Sequence, residues 1–368
     1  MAKGAVTKLK FNSPIISTSD QLISTNELLD RLKALHEELA SLDQDNTDLT
    51  GLDKYRDALV SRKLLKHKDV GIRAFTACCL SDILRLYAPD APYTDAQLTD
   101  IFKLVLSQFE QLGDQENGYH IQQTYLITKL LEYRSIVLLA DLPSSNNLLI
   151  ELFHIFYDPN KSFPARLFNV IGGILGEVIS EFDSVPLEVL RLIFNKFLTY
   201  NPNEIPEGLN VTSDCGYEVS LILCDTYSNR MSRHLTKYYS EIIHEATNDD
   251  NNSRLLTVVV KLHKLVLRLW ETVPELINAV IGFIYHELSS ENELFRKEAT
   301  KLIGQILTSY SDLNFVSTHS DTFKAWISKI ADISPDVRVE WTESIPQIIA
   351  TREDIFKRTE SGTGKNLY

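Results

Sequence analysis

"KHKDVGIRAFTACCLSDILRL", residues 66–86, opens with Asp69, Val70 and Arg73 and runs on as a small residue followed by a long apolar stripe. Two later stretches open alike: "ENELFRKEATKLIGQIL" with Glu293, Phe295 and Arg296, and "SPDVRVEWTESIPQI" with Asp336, Val337 and Arg338. An acid in a first helical turn complements the helix dipole, and an arginine beside it can ladder to acids in a neighbouring unit. One such match is common in any sequence. Three at repeat spacing mark the second helices of HEAT hairpins.

Outward from these stretches the same periodicity returns. "NELLDRLKALHEEL" places Leu28, Leu29, Leu32, Leu35 and Leu39 on one stripe with charges opposite. "QLTDIFKLVLSQFEQL", "LLIELFHIFY", "PLEVLRLIFNKFL" and "PELINAVIGFIYHEL" read as helices of the same kind, while alternating strand patterns are almost absent. Pro159, Pro186, Pro202, Pro206, Pro274 and Pro335 fall between apolar runs, where proline starts or stops helices. Second helices are expected to begin near Asp69, Tyr119, Phe163, Ser213, Asp250, Asn292 and Ser334. That is one per about 44 residues, the HEAT or armadillo period. The expected fold is all-α: a HEAT-repeat α-solenoid, a right-handed superhelix of antiparallel helix pairs.

Residues 1–25, rich in Ser, Thr and Lys, are expected as a flexible lead, residues 26–355 as an array of about seven helix pairs, and residues 356–368 as a polar tail. "ASLDQDNTDLTGLD" and "TYNPNEIPEGLNVTSDCG" read as loops. The last unit stops without the polar cap a solenoid needs. The chain is therefore expected to be a fragment of a longer array or to carry a foreign terminus.

Composition narrows the function. The 368 residues carry a formal charge of -13, which argues against broad attraction to a nucleic-acid backbone but leaves room for a local basic surface. Four cysteines, Cys78, Cys79, Cys215 and Cys224, are too scattered for a disulfide framework and suit a reducing compartment. The first residues carry no apolar signal region, and no stretch approaches the length of a membrane span.

Catalytic and metal motifs fail on inspection. His36-Glu37 and His286-Glu287 are followed by Ala40 and Ser290 where a zinc site needs its second histidine. "IGGILGEV" continues a helix, so Gly172, Gly173 and Gly176 read as points of close helix approach. In the tail's "GTGKN", Thr359 and Asn366 stand where a phosphate loop needs Gly and Ser or Thr. Trp270, Trp326 and Trp341 lack the asparagine that an armadillo import receptor carries four residues on. No enzyme, cofactor or metal site is expected.

"RLYAPDAPY", residues 85–93, follows the first of these second helices. Pro89 and Pro92 fix their own φ and push Ala88 and Ala91 toward extended geometry, while Tyr87 and Tyr93 supply aromatic area and Asp90 a charge. A preordered loop of this kind loses little entropy on binding a flexible peptide. The plainer alternative is that the prolines only end a helix and Tyr93 is buried. Two further candidates are weaker. "KYRDALVSRKLLKHKDVGIR" gathers Lys54, Arg56, Arg62, Lys63, Lys66, Lys68 and Arg73, either a solvated face or a contact for DNA or an acidic partner. Glu177 and Glu181, four apart on one helix, are either neutralised by a neighbouring repeat or face a basic partner.

"DVGIRAFTACCLSDILRLYAPDAPYTDAQLTDIF" resembles the amino-terminal HEAT region of the cohesin-associated family called precocious dissociation of sisters protein five, in its fungal form. The Ala88-Pro89-Asp90-Ala91-Pro92-Tyr93 string is that family's hallmark, and the resemblance runs from residue 1 to about residue 355. It implies a non-catalytic, nuclear, chromosome-associated adaptor of the cohesin ring that works with a Wapl-type releasing factor and with the cohesin acetyltransferase. It implies that the kleisin subunit binds mainly through repeats outside this chain. Tyr87 to Tyr93 would then receive a short segment bearing an aromatic residue and an arginine, with Arg62, Lys63, Lys66, Arg73, Glu177 and Glu181 as secondary contacts. The alternative is a HEAT solenoid that binds DNA, weakly, or an acidic partner directly through the Arg62–Arg73 face.

Overall fold

The structure is a computed structural model that describes residues 7–17, 22–200, 214–247, 252–309 and 315–352. These are helical hairpins of HEAT type, and the only β-pairing among the described residues is an isolated parallel bridge between Thr7 and Thr47. The chain divides into two compact units, Met1–Val189 with Thr212–Ile222, and Leu190–Val211 with Leu223–Tyr368.

In the first unit, α1 (Thr25–Ser41) is capped by Ser24, whose hydroxyl accepts from the Glu27 N–H, and it buries Leu28, Leu32, Leu35 and Leu39. Leu29, expected on the same stripe, is only half-buried. Short helices α2 (Asp53–Leu59) and α3 (Arg62–Leu65) follow, then α4 (Val70–Tyr87), which packs on α1 and later on α6. Nearly every residue of α4 from Gly71 to Leu86 is buried, as befits a helix apolar all round. α5 (Asp95–Phe109) starts at a reciprocal Thr94–Gln97 capping box, and α6 (His120–Glu132), α7 (Ser145–Tyr157) and α8 (Phe168–Glu181) continue the stack. A second helix was expected near Phe163. Pro164 holds extended backbone there, and a 3₁₀ turn at Ala165–Leu167 delays the α-helix to Phe168.

Two of the three glycines of α8, Gly172 and Gly173, work as the sequence suggests. A Cβ on Gly172 would stand 2.6 Å from the Ile222 Cγ2, and one on Gly173 would stand 2.8 Å from the Leu131 Cδ2. Residues 7–17, within the lead expected to be flexible, lie against the fold: the Phe11 N–H donates to Glu38 at 2.7 Å, the Tyr55 hydroxyl to the Phe11 carbonyl at 3.1 Å, and Ile15 is buried.

The unit boundary falls within α9 (Leu187–Thr199) and α10 (Cys215–Thr226). The second unit then contains α11 (Ser228–Thr247), α12 (Asn252–Thr272), α13 (Ile281–Leu288) and α14 (Glu293–Thr308). It closes with α15 (Phe315–Thr318), α16 (Ser320–Ile327) and α17 (Pro335–Thr351). α14 packs against both α12 and α17. "PELINAVIGFIYHEL" is not one helix. Pro274 opens a 3₁₀ segment to Ala279, and Val280, at φ -119°, resets the register before α13. The long loop at residues 201–213 and the tail from residue 353 lie outside the described residues.

The three marker arginines share one geometry. The Arg73 Nη1 donates to the carbonyls of His67 and Lys68, at 2.6 and 3.1 Å. The Arg296 Nη1 donates to those of Ser290 and Glu291, at 2.9 and 2.9 Å. The Arg338 Nη1 donates to those of Asp332 and Ile333, at 2.6 and 3.2 Å. Each guanidinium thus reaches six and five residues back and fastens the helix start to the connection before it. A ladder to the next repeat forms at Arg296, whose Nε and Nη2 meet Asp332 at 3.0 and 3.1 Å. The repeat register is set by the caps Asp69, Asn292 and Ser334, each four residues before its arginine. Glu293 and Asp336 do other work, accepting from the Ser334 hydroxyl and pairing with Lys297 respectively.

One buried group makes this fold sensitive to acid. His234 is 4% exposed, and burial, aided by Lys237, Arg230 and Arg233, lowers its pKa from 6.5 to about 4. Above the unfolded value the ring is neutral in both states. Below it the unfolded chain takes up a proton that the folded ring refuses. Stability is therefore expected to fall between pH 6.5 and about 4, by about 1.4 kcal/mol per pH unit from this group. Chemical unfolding across that window should give a shallower profile for His234→Phe; parallel profiles would rule the account out.

Candidate functional site

α4 ends at Tyr87, and Ala88 is its extended cap at ψ 143°, the geometry a residue before proline prefers. The loop then runs to Thr94, the cap of α5. Pro89 and Asp90 are exposed, whereas Ala88, Ala91, Pro92 and Tyr93 are half-buried. Among the described residues Asp90 has no ion pair.

The loop is fastened from beneath. The Gln44 side-chain N–H donates to the Ala88 carbonyl at 2.7 Å. The Tyr87 hydroxyl donates to Asp53 Oδ1 at 3.1 Å and lies 3.3 Å from the Leu49 carbonyl. The Tyr93 hydroxyl points to the Arg56 carbonyl at 3.5 Å. Burial, then the Asp53 carboxylate, pushes the Tyr87 pKa up to about 12, and burial pushes that of Tyr93 up as well. Both hydroxyls are thus turned toward α2. Their tips hold the loop, and Pro89 and Asp90 form its outward point. Gln44 and Asp53 were missed by the sequence reading, and Arg56 was read only for its charge, because nothing local in them marks a support standing some 35–45 residues from the loop.

The basic stretch divides. Arg62, Lys63, Lys66 and Lys68 are exposed around α3. Arg73 is half-buried with its guanidinium on two backbone carbonyls, so it does not belong to that surface. Arg56 is likewise occupied, by Asp53 and Asp57 at 2.8 and 2.9 Å. The acidic pair is also accounted for internally. Arg134, in the left-handed region at φ 55°, brings its Nη2 to Glu177 at 2.6 Å and to Glu181 at 3.6 Å. The neighbouring connection thus supplies a cation to both carboxylates, the internal one of the two alternatives the sequence left open.

Comparison with known proteins fixes the lineage. The family described as Sister chromatid cohesion protein PDS5 matches residues 26–368. The chain belongs to the PDS5 family. It is 98% identical over 367 residues to the Saccharomyces cerevisiae Sister chromatid cohesion protein PDS5, covering 100% of this chain and 29% of that protein. With the Schizosaccharomyces pombe protein pds5 the identity is 30% over 355 residues, covering 95% of this chain and 29% of that one. With the Xenopus laevis PDS5 homolog B-A it is 23% over 361 residues, covering 97% and 24%. The chain thus spans under a third of the length of these relatives.

Within this PDS5-family chain a second cluster lies under the loop's helix. Asp82, 1% exposed, accepts from the Tyr125 hydroxyl at 2.7 Å and meets the His36 Nδ1 at 3.1 Å and the Arg85 Nη2 at 3.6 Å. Arg85 also donates to the carbonyls of Leu39 and Leu42, both at 2.8 Å, satisfying the end of α1. Asp82 and Arg85 are buried while His36 and Tyr125 are half-buried, and the cluster ties α1, α4 and α6 together beneath the loop. All four cysteines are buried free thiols; burial raises the pKa values of Cys78, Cys79 and Cys224, the reverse of what a nucleophile needs. Among the described residues no group of three or more metal-binding side chains converges, and no helix is long and apolar enough to cross a membrane.

Proposed function

We propose that this chain is a non-catalytic HEAT scaffold of sister-chromatid cohesion, acting on the cohesin ring at the chromosome in the nucleus. In this reading the Pro89–Asp90 point receives short segments of cohesin regulators, among them the Wapl-type releasing factor and the cohesin acetyltransferase. The kleisin subunit is engaged mainly by repeats beyond this chain. The cohesion in the names that the two yeast relatives carry supports the process. The observation that carries the site is an exposed proline and an unpaired carboxylate on a loop fastened from beneath by the Gln44 and Asp53 side chains and the Arg56 carbonyl. Such a surface is already ordered when a peptide arrives, and the carboxylate suits an incoming arginine.

The test is a titration of the folded chain with a Wapl-type peptide bearing the aromatic-plus-arginine motif. Asp90→Lys is expected to weaken binding at least tenfold, by about 1.4 kcal/mol or more. Because Asp90 is exposed, melting and helicity should not change. Unaltered affinity in the folded variant would refute the site.

A further inference from the structure

The cations that remain on the basic surface surround a groove. Ile16 and Ile23 from the lead, Leu28 from α1 and Leu64 from α3 line a depression of about 720 Å³, a size that admits a few side chains. Arg62, Lys63, Lys66 and Lys68 stand along the same depression, and Asp69 is the one carboxylate among its lining residues. Asp69 is itself engaged, capping α4 by accepting from the Ile72 N–H at 3.0 Å. None of the four cations has an ion pair among the described residues, in a chain with 50 acidic against 37 basic residues. Next to the groove Leu22 is 85% exposed, so the apolar surface continues outward.

The geometry points to a second docking site here, for a short acidic peptide with apolar side chains seated on the Ile16–Ile23–Leu28–Leu64 floor and carboxylates on the Arg62–Lys68 rim. Charge complementarity selects the sign of the occupant. On an acidic chain that repels other anions, four uncompensated cations in one place attract a negative segment locally. The floor selects its kind. Nucleic acid bound without sequence preference uses aromatic platforms on which bases stack, and this lining has no Phe, Tyr or Trp; its one ring, His67, is engaged in accepting from the Asp69 N–H at 3.0 Å. Aliphatic side chains flanked by Asp or Glu match both halves of the site. This groove is independent of the Pro89–Asp90 loop and of any reading of it.

The experiment pans a displayed library of dodecamers, each with two aliphatic positions flanked by Asp or Glu, against the full chain. Enriched peptides are then synthesised with a fluorescent label and titrated. Expected are a binder weakened at least tenfold by the pair Arg62→Glu and Lys63→Glu, and a similar loss when its aliphatic residues become Ser. Lys66→Glu with Lys68→Glu, at exposed positions, gives the same direction of change and guards against a misfolded first variant. Asp90→Lys should leave this affinity unchanged. Raising ionic strength from about 0.05 to 0.3 M should weaken it severalfold, since rim charges at the surface are screened. No enrichment, binding indifferent to both charge reversals, or a labelled 20-base-pair duplex bound in place of the peptides with the same dependence on Arg62 and Lys63 would overturn the proposal.

Discussion

Arg296→Ala is expected to lower stability by about 3–5 kcal/mol, the cost of removing one partner from a buried ion pair. Arg296 is 6% exposed and joins three elements at once: its own helix, the Ser290–Glu291 connection and Asp332 before α17. Burial disfavours the Asp332 anion, but Arg296, the Ser334 N–H and Lys329 outweigh it and hold the carboxyl below its ordinary range. Without the guanidinium, that charge is left buried and two carbonyls lose their donor. Arg338→Ala is the internal comparison. Half-buried and contacting carbonyls alone, it should cost only about 1–2 kcal/mol. Hydrogen exchange of α14 and α17 amides reads both effects locally; equal losses at the two positions would contradict the account.

Asp82→Ala should damage the first unit as severely, by about 3–5 kcal/mol. The substitution strips the acceptor from the Tyr125 hydroxyl and the counter-charge from Arg85, and it leaves His36 facing a void. Asp82→Asn keeps the shape and a hydrogen-bonding oxygen while discarding the charge, so it should lose visibly less. Urea unfolding followed by the fluorescence of the tyrosines around α4 separates the two variants. If Asn and Ala are equally harmful, the charge is the whole effect and the hydrogen bonds contribute nothing.

The arginines were legible in the sequence because their device is local: a cap, a guanidinium four residues on, and carbonyls five and six residues back. Their main target was not, since the sequence reading sent all three to acids in the next repeat and only Arg296 goes there. The outward point of the proline loop was legible from two imino acids and a charge. Its supports were not. Gln44 and Asp53 are ordinary polar residues, and only packing of α2 and its preceding turns beneath α4 brings them into reach. A usable signal did exist for the Asp82 cluster. His36 lies 46 residues before Asp82 and Tyr125 lies 43 after it, both close to the repeat period. Polar residues one period apart within apolar stripes are neighbours in a stack, and Asp82 is such a residue inside "TACCLSDILRLY". Charge counts misled in the opposite way. Arg73, Glu177 and Glu181 look like free surface when counted along the chain, yet the fold engages all three with its own backbone or its own cation.

The paired glycines of α8 carry a consequence for inheritance. Gly172 faces Ile222 and Gly173 faces Leu131, so adjacent codons guard opposite flanks of one rod. A methyl group gained at either position is a wedge, and the two wedges push different neighbours: α10 in one case, α6 in the other. Drift at these codons is therefore blocked from both sides.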